Sequence, residues 1–257
     1  MLYMSRPSTP AASLTRLSAS LAARAWAASA VFRALATGTT TTPSSSAITT
    51  SPGWTRAPAQ TTGMFTEPSV ALTVPRALIA RLNTDFHIDT ARIYATGISN
   101  GGFFSQRIAC DLSAQVAAVA GVASTLQESL AAACKPQRSV PVLVMMGSKD
   151  PLVPWDGGAL SGNRGAVLSA PEAVRKWAVW DGCEMTPAPK EPFPRTHVDL
   201  YNQCAEGAEV ILYRVEGGGH TWPGGRQYFP EFFIGKTSRD FDAGEVIWQF
   251  FEKHPLR

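Results

Sequence analysis

Over the first 66 residues the apolar positions follow no period, scattered among alanine, serine, threonine, proline and arginine. The tract TGTTTTPSSSAITTSP (37–52) reads as linker or disorder, since it has too little apolar surface to offset the entropy of ordering. From about Val70 the pattern changes. Ala77, Leu78, Ile79, Leu82 and Phe86 fall at helical spacing, which predicts an amphipathic helix over 76–86 with Pro75 in its first turn. The run ARIYATG predicts a strand, and 100–111 a helix directly after it. The segments VAAVAGVAS (116–124) and SVPVLVMMGSKD (139–150) predict buried strands. A helix is predicted over 171–182 with Ala173, Val174, Trp177 and Val179 inward, then a strand in AEVILYRVEGGGH. The last helix, 241–254, would bury Val246, Ile247, Phe250 and Phe251. Strands alternating with helices imply a mostly parallel sheet covered on both faces.

Composition adds little to that picture until it is divided along the chain. Net charge is +3 over 257 residues, but residues 1–66 hold five arginines and no Asp, Glu or Lys. The remainder holds 18 basic and 20 acidic residues, so the body is slightly acidic and offers no basic, aromatic-interleaved surface for nucleic acid. No run of about 18 apolar residues predicts a membrane span. The arginine-rich, acid-free front resembles a transit peptide more than a secretory signal: its best apolar stretch, AWAASAVF, is short and followed by Arg33. Cys110, Cys134, Cys183 and Cys204 include no CxxC pair, and the four histidines lack zinc-ligand spacing, so no metal and no cofactor are expected. Loops of twenty-odd residues suit two local disulfides, 110–134 and 183–204, with four buried free thiols as the other reading.

Ligand crevices in such sheets lie beyond the carboxyl ends of the strands. Three predicted strands end in polar loops there. Gly97-Ile98-Ser99-Asn100-Gly101 fits the G-x-S-x-G elbow, with a strand before and a helix after. Ser99 would be a nucleophile at a helix N-terminus, and the backbone N–H of Asn100 one oxyanion donor; the alternative is an ordinary N-cap serine. A serine hydroxyl needs a base, and the base an orienting carboxylate. Asp150 follows the second strand, with Asp156 as competitor and a self-bonding turn aspartate as the other reading. His220 ends EGGGH, whereas His87, His197 and His254 lie in a connection, a proline-rich insertion and the tail. The order Ser, Asp, His is that of α/β-hydrolases. Neither G-x-x-x-x-G-K-[ST] nor a helix-opening G-x-G-x-x-G is present, which leaves phosphate and dinucleotide binding without support.

From about residue 70 onward the chain resembles the secreted polyhydroxybutyrate depolymerase and feruloyl-esterase-like family of α/β-hydrolases. The resemblance rests on RALIARLNTDFHIDTARIYATGISNGGFFSQRIACD, VPVLVMMGSKDPLVPWDGG, EAVRKWAVWDGC, AEVILYRVEGGGHTWPGG and TSRDFDAGEVIWQFFEKHP, in that order. It implies Ser99 as nucleophile, Asp150 as acid, His220 as base, and the pairs Cys110–Cys134 and Cys183–Cys204. It also implies polyester, feruloyl or acetyl ester substrates and an extracellular or periplasmic location. Trp155 and Trp222 flank the acid and base loops, where they could wall an acyl or aromatic group or serve as packing.

The same resemblance implies upstream strands, one ending in a His-Gly-Gly-type loop that supplies a second oxyanion donor. Residues 1–69 show neither, so they are expected to be a disordered or non-native leader, as a shifted reading frame or shortened gene would produce. The expectation is then an incomplete hydrolase domain over 70–257, lacking N-terminal strands and impaired in activity. Competing readings are a non-catalytic binding relative, a gene fragment and a prolyl-peptidase-like hydrolase. The expected partner is an ester, possibly polymeric; oligomeric state is open.

Overall fold

The computed structural model describes residues 2–4 and 68–257. The leader expected over 1–69 lies outside the described residues, apart from its two ends. One end is β1 (Leu2–Met4), a three-residue strand that no sequence pattern had marked. It pairs antiparallel with β2 (Ile93–Ile98), Tyr3 opposite Tyr94. The other end opens α1 (Pro68–Phe86), which begins earlier than its apolar spacing predicted. Pro75 therefore sits inside α1 rather than in its first turn, where it removes the hydrogen bond a residue there would donate to the preceding turn. Leu72, Pro75 and Ile79 are the buried positions, one turn or two apart, while Ala77, Leu78 and Phe86 face outward.

Four strands form the parallel core of the sheet: β2, β3 (Ala118–Val122), β4 (Val142–Gly147) and β9 (Val210–Val215). Between β4 and β9 come the two-residue strands β5 (Gly158–Ala159) and β6 (Ala166–Val167), paired apart from the main sheet. An antiparallel hairpin, β7 (Ala188–Phe193) and β8 (Thr196–Tyr201), extends the sheet beyond β9. The order is β1-β2-β3-β4-β9-β8-β7. The segment read as a proline-rich insertion around His197 is this hairpin, turned at Pro194-Arg195 with Arg195 at φ 54°.

Strand alternation divides the core into two layers. Val119, Val142, Val144, Val210 and Leu212 point to one face, against α1, α2 (Asn100–Asp111), α3 (Glu128–Ala133) and α4 (Ala170–Trp180). Ala118, Ala120, Val122, Leu143, Met145 and Val215 point to the other, against α6 (Ala243–Lys253) through Ile247, Phe250 and Phe251. Each buried strand is apolar at successive positions because both of its faces are covered. In α4, Ala173, Val174 and Trp177 are inward as expected, but Val179 is exposed and Ala178 buried in its place. A strip at 173, 174, 177 and 178 fits a 3.6-residue turn, and 179 falls off it. The architecture is a mostly parallel sheet with helices on both faces.

Candidate active site

Since β2, β3, β4 and β9 run parallel, their carboxyl ends share one edge, and Ser99, Asp150 and His220 all follow strands there. Ser99 leaves β2 at φ 55° and ψ −119°, a conformation that an L-residue adopts at a cost of roughly 1–3 kcal/mol. The turn is held on both sides. Ser99 N donates to Val122 O at 2.9 Å, and Ser99 O accepts from Phe103 N at 3.0 Å. Its hydroxyl makes no capping bond to α2, which departs from what an ordinary N-cap serine does. Tight apposition accounts for the glycines. A Cβ on Gly97 would lie 2.7 Å from the backbone of Gly101, and one on Gly102 would lie 2.0 Å from Ser124 Oγ. A Cβ on Gly101 would meet open space, so the steric demand falls on Gly97 and Gly102.

Asp150 and His220 meet directly. His220 Nδ1 lies 2.8 Å from Asp150 Oδ2, with both side chains almost wholly buried. The other carboxylate oxygen, Oδ1, accepts from Leu152 N at 2.8 Å and Val153 N at 2.9 Å. Asp150 thus bonds its own turn with one oxygen and the histidine with the other. The two loops are also fastened to each other. Ser148 N donates to Val215 O and Lys149 N to Gly218 O, at 3.0 and 2.9 Å. Ser148 Oγ donates to Glu216 Oε2 and accepts from Gly217 N, both at 2.9 Å. A Cβ on Gly147 would sit 2.2 Å from Gly218 O, so the close approach of the loops requires glycine there. The His220 backbone is fixed too: its N donates to Ile234 O at 2.5 Å, and its carbonyl accepts from Tyr228 OH at 2.8 Å. Burial, with a smaller contribution from the Asp150 charge, pushes the Tyr228 phenol up from its ordinary value. With Nδ1–H donating to the carboxylate, Nε2 keeps a lone pair able to accept a proton.

Comparison with known proteins finds relatives named as esterases. The chain is 33% identical over 150 residues to feruloyl esterase B of Piromyces equi, an alignment covering 56% of this chain and 28% of that protein. It is 29% identical over 213 residues to the protein named "Putative esterase NocK" of Nocardia uniformis subsp. tsuyamanensis, covering 77% of this chain and 61% of the relative. Both of these relatives carry esterase names. The chain spans less than two thirds of the length of either relative. An acetyl xylan esterase from Aspergillus awamori superposes with a TM-score of 0.44 at 14% identity, over 70% of this chain and 66% of that one. No protein-family model matches the chain.

The remaining expected residues divide. Asn100 is exposed and opens α2, whose first N–H groups have no partner within the helix. Trp155 is half-buried against the α1–α4 layer, with the Arg214 guanidinium 5.1 Å from its ring centre. Trp222 is half-buried against the α6 layer. Both indoles are engaged in packing. Asp156 is exposed, and the other histidines face elsewhere: His197 bonds Glu191 at 2.9 Å, and His254 Nε2 lies 3.3 Å from Glu209. The disulfides Cys110–Cys134 and Cys183–Cys204 are both formed, across 24 and 21 residues. Among the described residues no cluster of His, Cys, Asp or Glu is placed to hold a metal, and no helix is long and apolar enough to cross a membrane.

Sequence reasoning missed the parts that hold the site in place. Ser148, Glu216 and Tyr228 carried no motif. Neither did Gln106, buried in α2, which donates to Thr125 O at 2.6 Å and accepts from Trp177 Nε1 at 3.0 Å. A glutamine in the middle of an otherwise apolar helix stripe was the available signal, because a buried amide needs partners.

Proposed function

We propose that the chain is a serine carboxylic-ester hydrolase acting through an acyl-enzyme. The observation that carries the reading is the buried Asp150–His220 pair, at 2.8 Å, on the same sheet edge as the strained, uncapped Ser99. In this mechanism His220 Nε2 takes the hydroxyl proton as Ser99 Oγ attacks the ester carbonyl. Asp150 holds the imidazole and stabilises its charged form. The backbone N–H of Asn100 and the α2 terminus stabilise the oxyanion. The alkoxide leaves with the proton from His220. A water activated by the same nitrogen then releases the acid.

The name of one relative, feruloyl esterase, favours feruloyl esters, with acetyl esters and hydroxyalkanoate polyesters as further classes. Two disulfides fit an oxidising compartment, extracellular or periplasmic. The test is hydrolysis of p-nitrophenyl acetate by the purified chain, with covalent labelling by a fluorophosphonate. Both are expected to vanish in Ser99→Ala. Hydrolysis that survives Ser99→Ala would overturn the assignment.

A further inference from the structure

The loop that follows His220 carries a surface the hydrolytic mechanism does not use. Tyr228-Phe229-Pro230-Glu231-Phe232-Phe233 holds four aromatic residues in six, and all four are open to solvent: 56, 49, 79 and 51%. The three phenylalanines form one cluster, with ring centres 4.1 Å apart for Phe232 and Phe233 and 5.1 Å for Phe229 and Phe233. Contiguous exposed apolar surface of this kind marks an interaction site more often than it marks chance.

The exposure does not come from a loosely held loop. The segment includes a short helical turn, α5 (Glu231–Ile234), with Gly235 N donating to Glu231 O at 2.7 Å. The Gln227 amide ties it together, donating to Phe229 O and Gly235 O while accepting from Thr237 N and Oγ1. The cluster is continuous with the candidate site through two bonds to the His220 backbone, one from Tyr228 OH and one to Ile234 O. Phenylalanine has no hydrogen-bonding group, so three of them recognise apolar area rather than a pattern of hydroxyls. Glu231 is the one charged residue over 227–235, with Arg226 and Lys236 at the borders of the segment, so the exposed face of the cluster itself is formed by uncharged rings.

We infer that Phe229, Phe232 and Phe233 are a platform for the uncharged apolar part of an extended ester, beyond the bond being cleaved. This rests on the hydrolase reading and assigns a substrate preference to the same site: alkyl or aryl esters too large to end at the reacting carbonyl.

The experiment compares kcat/KM in two series, p-nitrophenyl acetate against octanoate and phenyl acetate against naphthyl acetate, each below its solubility limit. In the wild type the larger ester is expected to be favoured in at least one series. Phe232→Ser and the Phe229→Ser/Phe232→Ser double variant are expected to cut that preference about tenfold, from the apolar area removed. Phe232→Leu, which keeps apolar area, is expected to retain most of it. Leu78→Ser, on the exposed side of α1, is expected to leave the ratio unchanged and controls for apolar surface in general. An unaltered ratio in the phenylalanine variants overturns the platform, whether or not acetate turnover falls. An unaltered ratio with a lowered sedimentation coefficient assigns the face to a second copy of the chain and overturns it equally. A wild type inert toward both small acetates strikes the hydrolase reading instead.

Discussion

At the scale of single residues, two buried aspartates show how position decides chemistry. Asp150 has every carboxylate contact filled: two backbone N–H groups on Oδ1 and His220 on Oδ2. Asp150→Asn keeps the shape but presents an N–H₂ where an acceptor is needed. Its kcat/KM is expected to fall about 10³- to 10⁴-fold with little change in melting temperature; a loss under tenfold would contradict the role. Asp181, at the end of α4, accepts from Val140 N through Oδ1, while its Oδ2 has no hydrogen-bond partner among the described residues. Burial pushes its pKa up from 3.8 to about 7, against the opposing effect of the nearby Arg138 charge. Between those values the folded state binds a proton that the unfolded state releases. Stability from this group is therefore highest near pH 4 and is lost as pH rises to about 7, by about 4 kcal/mol in all. The stability of the wild type relative to Asp181→Asn should therefore fall through that window, leaving the wild type at its greatest disadvantage near pH 8 in denaturant titrations. Asp150 was legible from its place after an apolar strand. Asp181 was not, because WDGC reads as an ordinary helix end and its burial is set by residues far away in sequence.

Elements came out of the sequence well where one local cause governs them. Val119, Val142 and Leu212 lie in runs that must be strands buried on both faces, and the α6 stripe follows helical period. The failures share a cause as well. α1 runs through Pro75 because burial of Leu72 and Ile79 on one face outweighs a lost hydrogen bond. The β7–β8 hairpin was hidden because APKEPF is mostly exposed and draws its order from pairing with β8. Contact between α2 and the loop after β3 makes the sharpest element-level prediction. Gly102→Ala should destabilise by about 1–3 kcal/mol, because its Cβ would occupy the Ser124 side-chain site. Adding Ser124→Gly should recover part of that loss, and a double-mutant cycle in chemical denaturation would measure it. Strict additivity would show that the two residues do not share the space.

Over the whole molecule, the disulfides join elements that the sheet alone leaves far apart in sequence. Cys110–Cys134 joins the end of α2 to the residue after α3, and Cys183–Cys204 joins the segment after α4 to the one after β8. Replacing Cys183 and Cys204 together by alanine should cost about 3 kcal/mol. Reductant should then lower the melting temperature of the wild type more than that of this variant. By itself the sequence determined the alternation of strands and helices, the elbow around Ser99, the Ser–Asp–His order and the cysteine spacing, since each depends on neighbours within a few residues or on order alone. Only the tertiary structure decided that the Ser99 hydroxyl leaves its helix uncapped, that His220 and not another histidine meets Asp150, and that the two tryptophans are engaged in packing. It also decided that the phenylalanines of the base loop face water. Asp150 and His220 are 70 residues apart and meet because β4 and β9 are adjacent in the sheet, in a register that sets Gly147 beside Val215. Strand pairing of that range is fixed by the packing of the whole sheet, which no local pattern encodes.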